Sequence, residues 1–151
     1  MLFKTHILLG MAFFLITKNY FSGGNQAIFF LLVLFASIFP DIDEPHSKVN
    51  QWSGPLGEIV TFLCEHRTLF HAVILHVAIY VVIGYFVSLY YAKAWLLGYV
   101  AHIIGDGITP MGVQLCYPFS DVRIRGPVRV GGIIEWILFA VLFVLVLRVL
   151  V

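Results

Sequence analysis

Residues 26–43, QAIFFLLVLFASIFPDID, combine a long apolar run with two carboxylates directly after it. Pro40 predicts the end of a helix over residues 26–39, because a proline disfavours helical geometry in the residue before it. At about 1.5 Å per residue this helix is about 20 Å long, shorter than a hydrocarbon core of about 30 Å. We therefore expect its end, with Asp41 and Asp43, to lie recessed from one membrane face.

Four more apolar segments predict helices over residues 2–18, 69–91, 94–108 and 133–151, and residues 111–132 predict a small hairpin or an irregular loop. The chain is 61% hydrophobic and 11% charged, whereas a soluble domain is about 45–50% apolar and about 25% charged. These values predict an all-α fold: a single integral membrane domain, residues 1–151, built as a bundle of four to five helices.

The charged residues exclude one class of partner and suggest an orientation. A net charge of +1, without a dense basic block, argues against nucleic acid and leaves membrane lipids or an amphiphilic small molecule as partners. In a multi-pass protein the excess of Lys and Arg marks the cytoplasmic side. The side of the membrane with Asp41 and Asp43 would carry six basic residues: Lys4, Lys48, Arg67, Arg123, Arg125 and Arg129. The other side would carry Lys18, Lys93 and Arg148, so the side with the aspartates is predicted to face the cytoplasm.

Metal-type ligands stand at the ends of four apolar segments. They are His6, Asp41 with Asp43, His66 with His71, and His102 with Asp106. If the first four helices alternate in direction, all these ends lie on one side of the membrane. Ionisable groups at membrane depth cost roughly 2.5–3.5 kcal/mol each, so they need a compensating role. One shared metal site at one end of the bundle accounts for all four placements.

Two pairs have ligand spacing. His102 and Asp106 are four residues apart and share a helical face, so they can chelate one ion or form a hydrogen-bonded pair at a helix end. Asp41 and Asp43 would point the same way in an extended segment. One could then bridge two metals while the other binds a metal or serves as the base; the alternative is a helix cap or a solvated loop acid.

The segment 65–71 offers both ligands and a charge. A helix beginning between His66 and His71 could bring both imidazoles to one centre. Arg67 could clamp a phosphoryl oxygen, or pair with Glu65 or one of the aspartates. His6 alone is typical of a core histidine, and its position at the convergent end favours a ligand. Imidazole and carboxylate ligands suit Zn²⁺ first, with Mn²⁺ as the alternative, in one or two ions.

These residues resemble the LexA-regulated, membrane-bound, metal-dependent hydrolase family (YdjM-like). The matching segments are Thr5–His6 with Leu8–Gly10, Phe39–Asp43, His66–Arg67 with His71, His102–Val113 and Tyr117–Phe119. The resemblance implies a multi-pass protein of the bacterial inner membrane with a metal-dependent hydrolytic centre. By position it implies the ligands His6, Asp41, Asp43, His66, His71, His102 and Asp106.

Two functions follow from the pattern. The first is hydrolysis of a phospholipid or another lipid-linked phosphoester, with Asp43 or Glu65 accepting a proton and Arg67 contacting phosphate. The second is a non-enzymatic membrane protein in which the cluster is a structural metal site or part of an ion or proton path. An open ligand position beside a cleft would favour the first, and a closed shell the second.

Overall fold

The computed structural model describes residues 1–63 and 68–150, and this part of the chain is helical. Five longer helices and two short ones follow in order. They are α1 (Phe3–Thr17), α2 (Gln26–Ile38), α3 (Lys48–Ser53), α4 (Pro55–Leu63), α5 (Val73–Phe86), α6 (Leu89–Gly107) and α7 (Ile133–Leu150). Short 3₁₀ segments cover Lys18–Tyr20, Phe39–Asp43 and Leu69–His71. The all-α prediction is confirmed.

The segment after α2 differs from the prediction. Pro40 does not end the helical path, because it lies in the first turn of a 3₁₀ segment, where a missing N–H is tolerated. The stretch Gln26–Asp43 has 18 residues and a mean hydropathy of 1.7, so it is long and apolar enough to cross a membrane. It is the one such stretch among the described residues, and α5 is apolar but shorter. α2 itself ends at Ile38, one residue before the predicted end, and the 3₁₀ turn extends the apolar stretch beyond the predicted length.

The predicted helix 69–91 is divided among three elements: a 3₁₀ turn, α5 and the first residues of α6. Its first residues form a 3₁₀ turn, and α5 ends at Phe86. Ser88 is extended, and its side chain accepts a hydrogen bond from the Tyr91 N–H at 3.4 Å, which begins α6. The predicted helix 94–108 therefore begins five residues earlier. Residues 111–132 form an irregular loop with one antiparallel bridge, between Val113 and Ile124.

α6 lies at the centre of the fold and packs against α1, α2 and α5, while α7 packs against α1. Its contact with α2 requires glycine at position 98. A Cβ there would lie 2.3 Å from the Val33 carbonyl oxygen and 2.7 Å from the Ala36 Cβ. Small residues at such contacts allow helix backbones to approach closely. This approach places the last turns of α6 beside the end of α2.

Apolar side chains cover much of the outer surface. α5 exposes Val77, Val81 and Val82, and α7 exposes residues such as Ile137 and Val144, each between 46% and 61% accessible. Large exposed apolar patches mark sites of contact with protein or membrane. The inner side chains form two apolar clusters, one between α1 and α7 and one around Phe29, Val33 and Tyr90.

Glu135 at the start of α7 is fully buried and ties α7 to α1. Its Oε1 accepts from the Leu2 N–H at 2.7 Å, and its Oε2 accepts from the Gly131 N–H at 2.6 Å. A carboxylate satisfies two backbone donors at once, which a neutral side chain of the same size cannot do. Glu135 thus fixes the first residues of the helix that carries His6.

Gly98→Ala should lower the stability of the protein by about 1–3 kcal/mol, because the added methyl must separate α6 from α2. Gly107→Ala is the matched control on the same helix, since a Cβ there would lie 3.9 Å from the Ile124 Cγ2, an ordinary van der Waals contact. Thermal unfolding of the two purified variants in detergent measures the difference. Equal melting temperatures would contradict the close contact.

Glu135→Gln should cost about 1–3 kcal/mol, because the amide can replace only one of the two acceptor oxygens and leaves a partly buried N–H unpaired. Glu58→Gln removes an exposed carboxylate from α4 and should be close to neutral. Unfolding in the same detergent compares the two substitutions. A Glu135→Gln protein as stable as the wild type would show that the carboxylate does not hold α1.

Candidate metal centre

Three helical elements bring two histidines and two aspartates together. His6 comes from the second turn of α1, Asp41 from the 3₁₀ segment after α2, and His102 with Asp106 from the end of α6. One ligand atom from each lies within 4.8 Å of every other, and all four residues are buried. The spacing of four on α6 directs His102 and Asp106 to the same side.

The imidazoles of His6 and His102 stack and face the two carboxylates. Their ring centroids are 4.1 Å apart at 14°. His6 Nε2 lies 3.2 Å from Asp106 Oδ1 and 4.0 Å from Asp41 Oδ2, and His102 Nε2 lies 3.8 Å from an oxygen of each aspartate. Bonds of about 2.0–2.1 Å in a tetrahedral zinc shell place neighbouring ligand atoms roughly 3.3 Å apart. The four side chains therefore surround a space of the right size for one ion.

His71 lies beside this group as a further ligand candidate. Its Nε2 is 3.2 Å from His102 Nε2 and 3.6 Å from Asp106 Oδ2. Burial lowers the pKa of His71, but hydrogen bonds to Asp106 and Asp43 and the charges of both carboxylates outweigh this effect and raise the pKa to about 9. The imidazole, which precedes α5, therefore carries a proton between the two carboxylates when no other cation is bound there.

Two hydrogen bonds orient the imidazoles. His102 Nδ1 donates to the Ser37 carbonyl oxygen at 2.8 Å, and His71 Nδ1 lies 3.3 Å from Asp43 Oδ2. When Nδ1–H is engaged in this way, the Nε2 lone pair is free to bind an ion. The donor set fits a divalent cation: the buried Asp41 and Asp106 carboxylates match its charge, and imidazole nitrogens are ligands for Zn²⁺ and Mn²⁺ alike. The amino group of Met1 also contacts Asp106.

A cavity of about 370 Å³ reaches the group through Asp41. Polar and charged residues of the 44–48 turn form part of its lining, and the apolar residues Leu2, Phe3, Met111 and Val130 form another part. Lys48 is exposed, whereas Asp41 is 7% accessible. Asp41 thus connects the buried group to a space that has both apolar and polar lining.

The structure brings five of the sequence-predicted residues together: His6, Asp41, His71, His102 and Asp106. It places Asp43 on the other side of the His71 ring. The expectation that Asp41 and Asp43 face the same way was wrong, because their segment is a 3₁₀ helix and not an extended strand. With three residues per turn, positions two apart point roughly 120° away from each other. Glu65, His66 and Arg67 lie outside the described residues.

Two contributors to the site gave no sequence signal. The Ser37 carbonyl that accepts from His102 is a backbone group, so the residue type at position 37 does not indicate its role. The lining of the cavity by Lys48 depends on α3, a short helix inside a polar stretch without apolar periodicity. Both follow from packing between segments that are distant in sequence.

The sequence pattern of the YdjM inner membrane protein family matches residues 1–151, the whole chain. The chain belongs to this family. Its similarity to the uncharacterized protein YvsG of Bacillus subtilis (strain 168) is 26% identity over 145 residues, 91% of this chain and 86% of YvsG. Its similarity to the inner membrane protein YdjM of Escherichia coli (strain K12) and of Shigella flexneri is 28% identity over 120 residues, 74% of this chain and 61% of those proteins.

No solved structure matches this chain. The family name supports a location in the bacterial inner membrane and confirms the resemblance stated from the motifs. The buried group of His6, Asp41, His102 and Asp106 could hold a metal ion. Family and site together describe an inner membrane protein with a candidate metal centre.

Asp106→Asn should lower the affinity for a divalent metal by at least tenfold, because the amide lacks the negative charge and offers one weak acceptor. Asp121→Asn, which changes an exposed loop carboxylate in the same way, should bind like the wild type. Elemental analysis of detergent-purified proteins after equilibration with Zn²⁺ or Mn²⁺ gives the metal content. Full occupancy in Asp106→Asn would remove this residue from the ligand set.

Proposed function

We propose that this protein is a metal-dependent hydrolase of the bacterial inner membrane that acts on a phospholipid or another lipid-linked phosphoester. The observation that carries the proposal is the buried His–Asp group with a cavity that reaches one of its carboxylates, Asp41. A catalytic metal site needs a position that the protein does not fill, and the cavity supplies the space for it.

The proposed ligands are His6, Asp41, His71, His102 and Asp106, with His66 retained from the sequence. A divalent ion, Zn²⁺ first and Mn²⁺ as the alternative, would supply Lewis acidity and lower the pKa of a bound water. Hydrogen bonds at Nδ1 hold the imidazoles of His71 and His102 and leave their Nε2 atoms facing each other. One ion satisfies the four-residue group, and His71 with Asp106 offers ligands for a second.

The remaining side chains supply positioning and proton transfer. Asp43 contacts His71 Nδ1, which supports a role in holding the proton of that imidazole. Glu65 is the proposed general base and Arg67 the proposed phosphate contact. Lys48, on the lining of the cavity, adds a positive charge that would attract an anionic headgroup. Leu2 and Phe3 on the same lining would contact the apolar part of an amphiphile.

We place the protein as a multi-pass bundle with the centre facing the cytoplasm. The exposed apolar side chains of α5 and α7 support contact with lipid for these helices in addition to the Gln26–Asp43 stretch. Lys4 and Lys48 lie on the same side as the centre, which supports the cytoplasmic orientation by the positive-inside rule.

The alternative is a structural metal site, or part of an ion or proton path, without catalysis. The full burial of His6, His102 and Asp106 favours it, because structural sites have closed shells. The two functions differ in what metal removal does. A structural ion stabilises the fold, so its removal lowers the melting temperature strongly. A catalytic ion can be removed with a smaller loss of stability and a complete loss of turnover.

Hydrolysis should depend on both the metal and Asp106. The purified protein, freed of metal by chelation and reloaded with Zn²⁺, Mn²⁺ or Mg²⁺, is tested on bis(4-nitrophenyl) phosphate. It is tested in parallel in vesicles of phosphatidylethanolamine and phosphatidylglycerol, whose products are followed by mass spectrometry. We expect release by the reloaded wild type at least 100-fold above Asp106→Asn, since the ion provides most of the electrostatic stabilisation.

The Asp121→Asn protein is the control and should hydrolyse at the wild-type rate. If reloaded wild type and Asp106→Asn give the same release on every substrate, the hydrolase proposal is wrong. A chelation-induced drop in melting temperature without turnover would support the structural alternative instead.

A further inference from the structure

The turn that carries His71 is held by three side chains outside the ligand set. Tyr99 Oη donates to the His71 carbonyl oxygen at 2.7 Å, and His76 Nε2 bonds to the Phe70 carbonyl oxygen at 2.9 Å. Trp95 Nε1 in turn donates to His76 Nδ1 at 3.1 Å. Two successive carbonyls of the turn thus have fixed donors, one on α6 directly and one through α5.

The protonation state of His76 follows from these bonds. The indole Nε1–H of Trp95 can only donate, so His76 Nδ1 must accept and cannot carry a proton. The proton therefore lies on Nε2, where it is donated to the Phe70 carbonyl. The ring is fully buried and stacks on Tyr99, with centroids 3.7 Å apart at 14°, and on Trp95 at 5.8 Å and 25°. Its orientation is fixed by a hydrogen bond at each ring nitrogen and by the stacked ring of Tyr99.

The turn needs this support because it has little regular structure of its own. The 3₁₀ segment Leu69–His71 is three residues long, and its two backbone bonds run from the His71 N–H to the Thr68 carbonyl and from the Ala72 N–H to the Leu69 carbonyl. α5 begins only at Val73. Neither backbone bond involves the carbonyls of Phe70 or His71, and those two groups are the ones that Tyr99 and His76 bind.

The geometry also links the turn to the metal ligands of α6. Tyr99 precedes His102 by three residues, so the two side chains lie on neighbouring positions of one helical face. Tyr99 bonds to the backbone of His71, while His102 Nε2 lies 3.2 Å from His71 Nε2. α6 therefore carries two ligand candidates, His102 and Asp106. Through Tyr99 it also sets their distance from a third candidate, His71, which lies on another element.

We propose that Tyr99, with His76 and Trp95, is a positioning device that holds His71 at the metal centre. This inference rests on the proposed metal-dependent function and adds the residues that act on it through His71. Loss of the Tyr99 hydroxyl frees the His71 backbone, and the imidazole then occupies its binding position for a smaller fraction of time. Removal of groups that orient a ligand lowers metal affinity by about 10–100-fold.

The test compares two Tyr→Phe substitutions on α6 by titration with Zn²⁺ against a competing chelator. Tyr99→Phe removes the bond to His71. Tyr91→Phe is matched to it, because the Tyr91 hydroxyl also bonds to a backbone group, accepting from the Asn25 N–H at 3.1 Å at the far end of the helix. We expect an affinity about 10–100-fold lower in Tyr99→Phe and an unchanged affinity in Tyr91→Phe, at similar melting temperatures.

A double-mutant cycle separates positioning from general structure. If Tyr99 acts through His71, then Tyr99→Phe causes no further loss of Zn²⁺ affinity in a His71→Ala background. Trp95→Phe removes the donor to His76 together with part of a buried ring. It should weaken binding in the wild-type background and have no effect on Zn²⁺ affinity in the His71→Ala background.

Each negative result has a distinct meaning. If the wild type binds Zn²⁺ and Tyr99→Phe binds it equally well, the positioning role is wrong. It is also wrong if Tyr99→Phe lowers the Zn²⁺ affinity equally with and without His71. Neither result contradicts the proposed metal-dependent function. A wild type that binds no divalent metal overturns the proposed metal-dependent function and the positioning role with it.

Discussion

The close approach of α6 to α2 and α1 is the constraint on which the rest of the structure depends. At Gly98 the backbone of α6 lies so near the Val33 carbonyl that no Cβ fits, and a Cβ at Gly105 would lie 3.0 Å from His6 Cε1. One turn beyond Gly98, His102 reaches the Ser37 carbonyl. A wider separation of the helices would break that bond and enlarge the space between the ligands. The packing interface and the candidate metal centre are therefore one structural unit.

The sequence predicted the five longer helices because their apolar runs are long and are separated by polar turns. It also predicted that seven ligands would meet, since alternating helices bring their ends to one side. The structure brings five of them together, places Asp43 behind His71, and does not describe His66. The break between α5 and α6 at Ser88 was missed, because a single N-cap serine is the only sign of it within an apolar run. The different directions of Asp41 and Asp43 were missed as well, because a proline indicates the end of an α-helix without revealing the 3₁₀ turn that follows.

Burial determines how the candidate centre can behave. Asp41 and Asp106 are carboxylates with little or no access to water, and an uncompensated buried charge is costly. In the structure, the Met1 amino group and the imidazoles of His6 and His71 lie beside Asp106. A divalent ion would take over this compensation. Because a metal binds only the neutral imidazole, its binding would release the proton of His71. Among the described residues, those that line the cavity at Asp41 offer a path by which an ion could enter and protons could leave.

The candidate centre gathers residues 6, 41, 71, 102 and 106, so it spans about two thirds of the 151 residues. Translation delivers these residues one after another at about 5–20 residues per second. Until α6 has emerged from the ribosome and docked between its neighbours, His6 and Asp41 have no partners with which to retain an ion. Assembly of the candidate centre is thus a late event in the synthesis of the chain, because a half-made chain carries only part of the group.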